Sequence, residues 1–515
     1  MSALRDPMII FSSFLVLLLV LTLIKIFHKL WWFPIRVQYF MRSQGIKGPS
    51  YRFIYGNTKE MLSMKQEAMA TPMGLSHAIF PKVLPDIDFW VNIYGKNYLQ
   101  WYGYQAQLVV TEPELIKEIL NNRERAFPKA DNEGYVKKIL GDGLVTTEGE
   151  KWGKLRKLAN YAFHGESLKS TIPTMISCVE MMLEKWKIYE GKEIEVFEEF
   201  RLLSSEVISR TAFGSNYQRG KSIFDMLMRL VLLSFKNTYK LRFPGISKFL
   251  RTGDEIEADK LEDDIRNNII EILKEREEKV MRGERDSFGS DFLGLLLKAH
   301  HDTNDSQKIS VDDLVDECKT FYFAGQETTN TFLSWTVLLL AIHTDWQEEV
   351  RKEVLNIFGH QNPSPEGIAK LKIMGMVFNE SLRLYPPVAG VIRKVGRKVK
   401  VGKLTLPANL VLYVPNLALH HDPQIWGEDV DQFKPERFLE GVAEATKNNP
   451  AAYLPFGIGP RNCVGGNFAI TEAKITISMI LQRYSFTLSP AYVHSPFQLL
   501  TLHPQHGIQA ILQPL

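Results

Sequence analysis

The sequence predicts a mainly helical body with a smaller β region, preceded by one N-terminal transmembrane helix. Three observations carry that expectation. An almost unbroken apolar run covers Met8 to Ile24. Tyr102 to Thr111 alternates loosely and is rich in aromatic and β-branched residues, which suggests strands early in the body. Much of the remainder, most plainly Val311 to Ile342, repeats apolar residues at helical spacing.

A chain of 515 residues with 45% hydrophobic and 11% aromatic residues can bury a large core. The net charge of +3 is close to neutral for this size and gives no reason to expect nucleic acid as a partner. Three cysteines, Cys178, Cys318 and Cys463, are too few for a disulfide framework or a clustered zinc or iron–sulfur site. That usage suits a reducing compartment.

The apolar run, extended through Lys25, Ile26 and Phe27, reaches about 20 residues, the length that spans a bilayer. A cleaved signal peptide is the rival reading, but no small-x-small cleavage site follows. Lys25, Lys29, Arg36 and Arg42 follow the run, with Trp31 and Trp32 at interface depth, whereas only Arg5 and the amino terminus precede it. The positive-inside rule then leaves the C-terminal bulk in the cytosol. Residues 1–44 are expected to be anchor and linker, and 45–515 the globular body.

Leu144 to Ala162 is expected to be helical. Trp152 and Arg156, four apart, share one of its faces, and Lys151, Lys154 and Lys157 fall on the other. Between Ile194 and His300, Leu261, Ile265, Ile269 and Leu273 form one apolar stripe on a highly charged helix that packs a single face inward. Phe224 to Phe235 and Phe243 suit either a substrate entrance or plain core.

Ser310, Asp312 and Asp313 give the helix Val311–Ile342 its start. Inside it sits Ala324-Gly325-Gln326-Glu327-Thr328-Thr329. Acidic and hydroxyl residues in so apolar a helix are costly unless paired or functional. A threonine that bonds back to the carbonyl one turn earlier is the alternative. Further on, Glu380 and Arg383 can pair along one helical face, which Tyr385-Pro386-Pro387 ends.

Phe456-Gly457-Ile458-Gly459-Pro460-Arg461-Asn462-Cys463-Val464-Gly465 reads as a glycine-bent loop that delivers one cysteine to a helix start. Gly457, Gly459 and Gly465 are expected to allow unusual backbone angles and close approaches. At the positive end of the helix dipole, with Arg461 nearby, a thiolate is favoured and suited to a soft or borderline metal, haem iron among them. A buried structural cysteine is the alternative.

Phe-Gly-x-Gly-x-Arg-x-Cys-x-Gly resembles the haem-binding loop of the cytochrome P-450 monooxygenases, with every expected position filled. The other motifs fall in that family's order across residues 45–515. The resemblance implies the cytochrome P-450 fold and haem b with Cys463 as axial thiolate. Trp152, Arg156, Arg393 and Arg461 would contact the propionates, and Phe456 and Gly465 would complete the cofactor loop. Glu327 and Thr328 match the oxygen-activation motif, with Ala324 and Gly325 leaving room above the haem plane. Glu380, Arg383 and Arg437 would form a buried ion network. Val388, Val391, Phe497, Leu499, Leu500 and Ala324 would line an apolar substrate pocket.

Gln44 to Arg52 resembles the opening segment of one plant clan, which includes secologanin synthase and hormone-modifying oxidases. That likeness points to a terpenoid-derived hormone or specialised metabolite as substrate, while the family resemblance implies a lipophilic substrate and anchoring in the endoplasmic reticulum membrane. It also implies electrons from NADPH through a cytochrome P-450 reductase, an acidic donor that the lysine face of Lys151, Lys154 and Lys157 would receive. Membrane lipid and dioxygen complete the expected partners. Sequons at Asn304 and Asn379 would stay silent in the cytosol. Gly-x-Gly-x-x-Gly and His-Glu-x-x-His are absent, and Gly220-Lys221-Ser222 lacks the glycine that a phosphate loop needs at Ser215.

Two rivals remain. A haem-thiolate isomerase or dehydratase would need no reductase, and such relatives tend to lose the threonine retained here. A non-catalytic haem- or lipid-binding membrane protein would not require Glu327-Thr328 at all.

Overall fold

Ser310 and Asp313 begin the longest helix of the body by capping each other. The Asp313 N–H donates to Ser310 Oγ at 3.1 Å, and the Ser310 N–H donates to Asp313 Oδ2 at 2.9 Å. Two orphan donors are thereby satisfied, and the helix runs Val311–Ile342 as the sequence predicts. The computed structural model describes residues 5–122, 125–130, 134–240, 251–304 and 308–515, so Phe243 lies outside the described residues.

Helix Arg5–Phe27 passes through a π-helical turn, His28–Trp32, into helix Phe33–Arg42. Residues 9–42 are the one stretch among those described that is long and apolar enough to cross a membrane, and its most apolar window is not buried at all. Trp31 packs edge-on against Phe53, 5.6 Å away, at the junction with the body.

The large core surrounds the long helix. Of its 32 residues, 24 are buried, so it is enclosed on almost every side. Helices Val196–Phe213, Ile373–Leu384 and Gly466–Leu481 pack around it. The charged helix Gly253–Met281 presents Ile265, Ile269 and Leu273 inward, as its stripe predicts.

A second core lies under a four-stranded sheet, ordered Asn97–Tyr102, Gln105–Val110, Val411–Val414, Val391–Lys394. The first pair is antiparallel, the middle pair parallel and the last antiparallel. The expected early strand region is therefore a hairpin that starts at Asn97 and turns at Gly103. Near the C-terminus, Pro496–Gln498 pairs antiparallel with Leu502–Pro504, setting Phe497 opposite His503.

The helix expected over Leu144–Ala162 begins only at Gly149 and ends at Phe163. Gly141 takes a left-handed φ of +64°, and the Leu144 N–H is captured by the Glu317 carboxylate of the long helix. A tertiary contact 173 residues away thus replaces the first turns of the helix.

Candidate active site

The cysteine loop is shaped by two left-handed glycines, Gly457 at φ +68° and Gly459 at φ +74°. A Cβ on Gly459 would meet the Leu120 carbonyl oxygen at 2.6 Å, so no larger residue fits. Gly465 differs from expectation, with an ordinary φ of −91°. It contributes a backbone N–H to the Cys463 thiol instead. The Cys463 N–H donates to Phe456 O at 2.8 Å, closing the loop just before helix Gly466–Leu481.

Cys178 and Cys318 are buried, and burial pushes the Cys178 thiol up to about 12 and Cys318 higher still. Cys463 alone of the three is exposed. The protein around it raises its pKa, while the Gly465 N–H and the Arg156 guanidinium pull the other way. Arg156 grips the neighbouring residue, donating from Nη1 to Asn462 O at 2.6 Å and from Nη2 to Asn462 Oδ1 at 2.8 Å. It stands beside the cysteine, with no hydrogen bond linking it to the other predicted cofactor cations.

Those cations form a separate cluster. Arg461 stacks on the Trp152 ring at 4.2 Å, donates to Thr147 O at 2.8 Å and pairs with Glu148. Arg393 is 5% exposed, and burial followed by Arg461 lowers its pKa to about 10. Lys129 joins them: burial, then Arg393 and Arg461, depress it to about 7 against the opposing pull of Glu148. Its backbone N–H donates to Glu148 Oε1 at 2.7 Å. Three cations thus act on one another around a single carboxylate. Sequence reading missed Lys129 and Glu148, because no motif marks them and only the fold brings them together.

On the long helix, Ala324 and Thr328 are half-buried, while Gln326, Glu327, Thr329 and Asn330 are buried. Four residues apart, Ala324 and Thr328 share the more open face. Thr328 Oγ1 donates to Ala324 O at 2.7 Å. Gly325 does not open space beside them. A Cβ there would meet the Ile208 side chain at 2.7 Å, so the glycine is needed for the close approach of helix Val196–Phe213. Glu327 turns away to residues 501–503, where its Oε1 accepts from Thr501 Oγ1 at 2.7 Å and pairs with His503. Neither partner was found from sequence.

A ring cluster ties the three elements together. Phe163, at the end of the Trp152 helix, stacks on Phe321 at 5.0 Å and meets Phe468 edge-on at 5.5 Å. Phe321 lies one turn before Ala324, and Phe468 five residues after Cys463.

Glu380 and Arg383 are wholly buried and bonded twice, and Arg437 lies 3.4 Å from Glu380 Oε1. Of the predicted pocket residues, Val388, Val391, Phe497 and Leu499 are half-buried. Phe497 meets Phe235 edge-on at 6.0 Å, placing the apolar stretch Phe224–Phe235 against the C-terminal hairpin. Lys151 is not free to receive a partner, since it bridges Asp142 and Asp313 at 3.0 and 2.6 Å. Lys157 is exposed. A polar cleft of about 910 Å³ around Arg210, Arg219 and Arg276 contains none of these residues.

The profile of the Cytochrome P450 family matches residues 91–509. The chain belongs to the cytochrome P450 family. The P450 is 58% identical over 505 residues to cytochrome P450 CYP749A22 of Panax ginseng, covering 98% of this chain and 96% of that one. It is 40% identical to cytochrome P450 734A1 of Arabidopsis thaliana over 95% and 94% of the two chains. With the 7-deoxyloganic acid hydroxylase of Catharanthus roseus it shares 38% over 95% and 96%. The crystal structure of the cytochrome P450DA haem domain superposes with a TM-score of 0.75 at 22% identity, covering 91% of this chain and 98% of that one.

A P450 monooxygenase carries haem on a cysteine thiolate and uses a redox partner, a lipophilic substrate and dioxygen. The residues of this P450 fit that cofactor. Lys129, Arg393 and Arg461 share one carboxylate, and two anionic propionates would complete that charge balance.

Proposed function

We propose that this P450 inserts one oxygen atom from dioxygen into a C–H bond of a lipophilic, terpenoid-derived small molecule. NADPH would supply electrons through a cytochrome P450 reductase. Cys463 holds the haem, and the observation that carries the reading is its exposure at the loop apex while both other cysteines are buried. When bound, the haem supplies reductive dioxygen chemistry, with electron density from the thiolate favouring O–O cleavage. Lys129, Arg393 and Arg461 would hold the propionates, with Trp152 stacked beneath Arg461. Arg156 steadies the loop through Asn462. Thr328 keeps a hydroxyl at the open face of the long helix, and Glu327 sits one residue away as the acid behind it. Val388, Val391, Phe497 and Leu499 offer the apolar surface a lipophile needs.

The likeness to a named hydroxylase and the retained Glu327-Thr328 favour oxygenation over isomerisation or simple binding. We place the protein in the endoplasmic reticulum membrane by residues 1–44, with residues 45–515 in the cytosol. The test is reconstitution with purified reductase, NADPH and a panel of terpenoid-derived lipophiles under labelled dioxygen. One labelled oxygen per product is expected. Conversion without NADPH would instead indicate an isomerase, and ligand binding with no NADPH oxidation across the panel a binding protein.

A further inference from the structure

Glu327 is 1% exposed, and its own helix does not satisfy it. Its Oε1 accepts from Thr501 Oγ1 and pairs with His503 Nε2, while Oε2 has no hydrogen-bond partner. Side chains two apart in an extended segment point the same way. Thr501 and His503 therefore face the helix together. Leu502 between them fixes the segment through its backbone. Its N–H donates to Pro387 O at 3.0 Å, and its carbonyl accepts from Trp335 Nε1 at 3.0 Å. Trp335 stands eight residues after Glu327, about two helical turns on the same face. The C-terminal segment is thus clamped to the long helix at both levels.

His503 is 6% exposed and lies against the rings of Phe197 at 5.0 Å and Phe497 at 6.0 Å. From the helix Val196–Phe213, the Arg201 guanidinium acts on Glu327, and Arg201 is itself bonded to Glu198 at 2.7 and 2.6 Å. Burial alone would push the Glu327 carboxyl up, but His503 and then Thr501 hold it below the ordinary carboxylate range. A buried carboxylate with a single ionisable hydrogen-bond partner exchanges protons most directly with that partner.

We propose that His503 is the positioning residue that keeps Glu327 ionised at rest and returns a proton to it in each turnover. The proton passes from His503 Nε2 to Glu327 Oε1, leaving neutral imidazole beside a neutral carboxyl. Glu327 then hands it on to the Thr328 side of the helix, and His503 recovers a proton from water. No electrons move in these steps. The inference rests on the monooxygenase reading.

The test compares wild type, His503→Gln and Thr501→Val with reductase, across a range of pH. It reads product formed per NADPH and the substrate dissociation constant. Wild-type coupling is expected to fall as pH rises and protons become scarcer for the buried pair. His503→Gln keeps a donor but cannot titrate, and should show coupling lowered by ~10-fold or more, with little dependence on pH. Its substrate dissociation constant should change less than about two-fold, since binding rests on apolar burial. Thr501→Val removes one hydrogen bond to Glu327 but no ionisable group, so its coupling can fall while the dependence on pH remains.

A second readout needs no turnover. Infrared difference spectra against Glu327→Gln should show an ionised carboxylate in wild type and a protonated one in His503→Gln. Wild-type coupling and profile in His503→Gln, a pH dependence abolished by Thr501→Val, or an unchanged carboxylate band in His503→Gln would each overturn the proposal. Failure of the monooxygenase reading is distinguished because it shows in wild type, as an absence of oxygenated product.

Discussion

Arg383 closes on Glu380 through two parallel hydrogen bonds, Nε to Oε2 at 2.7 Å and Nη2 to Oε1 at 2.8 Å, with both side chains fully buried. Arg383 also donates to His420 O at 2.8 Å and stacks over Trp426 at 5.3 Å. It therefore joins the helix Ile373–Leu384 to the segment leading toward the cysteine loop. Arg437 is bound to the same carboxylate more weakly. Its Nε lies 3.4 Å from Glu380 Oε1 without a hydrogen bond, and its Nη groups serve Trp426 O and Asp429.

Removing Arg383 leaves a buried carboxylate without its main partner, which costs on the order of 3–5 kcal/mol. Arg383→Met should therefore lower the urea midpoint far more than Arg437→Met, which still leaves the doubly bonded pair. Equal losses in the two variants would show that the trio acts as one unit.

What the sequence made legible was local. The start of the long helix followed from Ser310 and Asp313, and the pairing of Glu380 with Arg383 followed from their spacing. Contacts made across the chain were not legible. Gly325 looked like an opening beside Ala324 and proved to be the seat of Ile208, 117 residues earlier. Lys129, Glu148, Thr501 and His503 carry no motif, and each gains its meaning from a neighbour that only the fold supplies. The Trp152–Arg156 spacing put both residues on one helix correctly, but could not say that Arg156 would reach Asn462 while Trp152 lay beneath Arg461.

Two buried groups predict opposite pH trends. Burial holds His494 down to about 4 against an ordinary 6.5. The unfolded chain takes up that proton first, so the contribution of His494 is complete above about 6.5 and is lost as pH falls toward 4. Glu317 is pushed up to about 8 by burial against an ordinary 4.5. Its contribution is complete below about 4.5 and is lost as pH rises toward 8. Relative to His494→Gln, wild type should gain stability between pH 4 and 6.5. Relative to Glu317→Gln, it should lose stability between pH 4.5 and 8, each by up to about 1.4 kcal/mol per pH unit. Denaturant titrations at several pH values check both trends, and parallel curves for a variant and wild type would refute the corresponding shift.

The cysteine assignment predicts a simple contrast. Cys463→Ser should abolish the red-shifted carbon-monoxide band of the reduced protein. Cys178→Ser and Cys318→Ser should keep it, because both thiols are buried within helices. A band that survives Cys463→Ser and vanishes with Cys178→Ser would reassign the ligand.

The charge flank of Lys25, Lys29, Arg36 and Arg42 predicts which side the body occupies. Protease added to sealed microsomes should digest the catalytic body and leave a short N-terminal fragment. A protected body, or glycans on Asn304, would reverse the orientation.

Thr328 gives the sharpest separation of oxygenation from binding. Its hydroxyl donates to Ala324 O, and Thr331 and Thr336 make the same one-turn bond to Glu327 O and Phe332 O at 2.9 and 2.8 Å. The back-bond is therefore common to the helix and does not mark function. Exposure does distinguish them, since Thr331 and Thr336 are buried and Thr328 is half-buried on the face it shares with Ala324. A hydroxyl that donates to a carbonyl can still accept a hydrogen bond, and so can hold a proton source at that face. If dioxygen must receive a proton before its O–O bond breaks, loss of the hydroxyl should slow that step by ~10²–10⁴-fold, or roughly 3–5 kcal/mol of barrier. Substrate affinity should barely change. Thr331→Ala deletes an equivalent back-bond at a buried position and controls for helix stability. Thr328→Ala should keep haem and substrate binding while NADPH oxidation is diverted to peroxide or water, and Thr331→Ala should not divert it. Normal product per NADPH in Thr328→Ala would make its hydroxyl a helix bond like the other two.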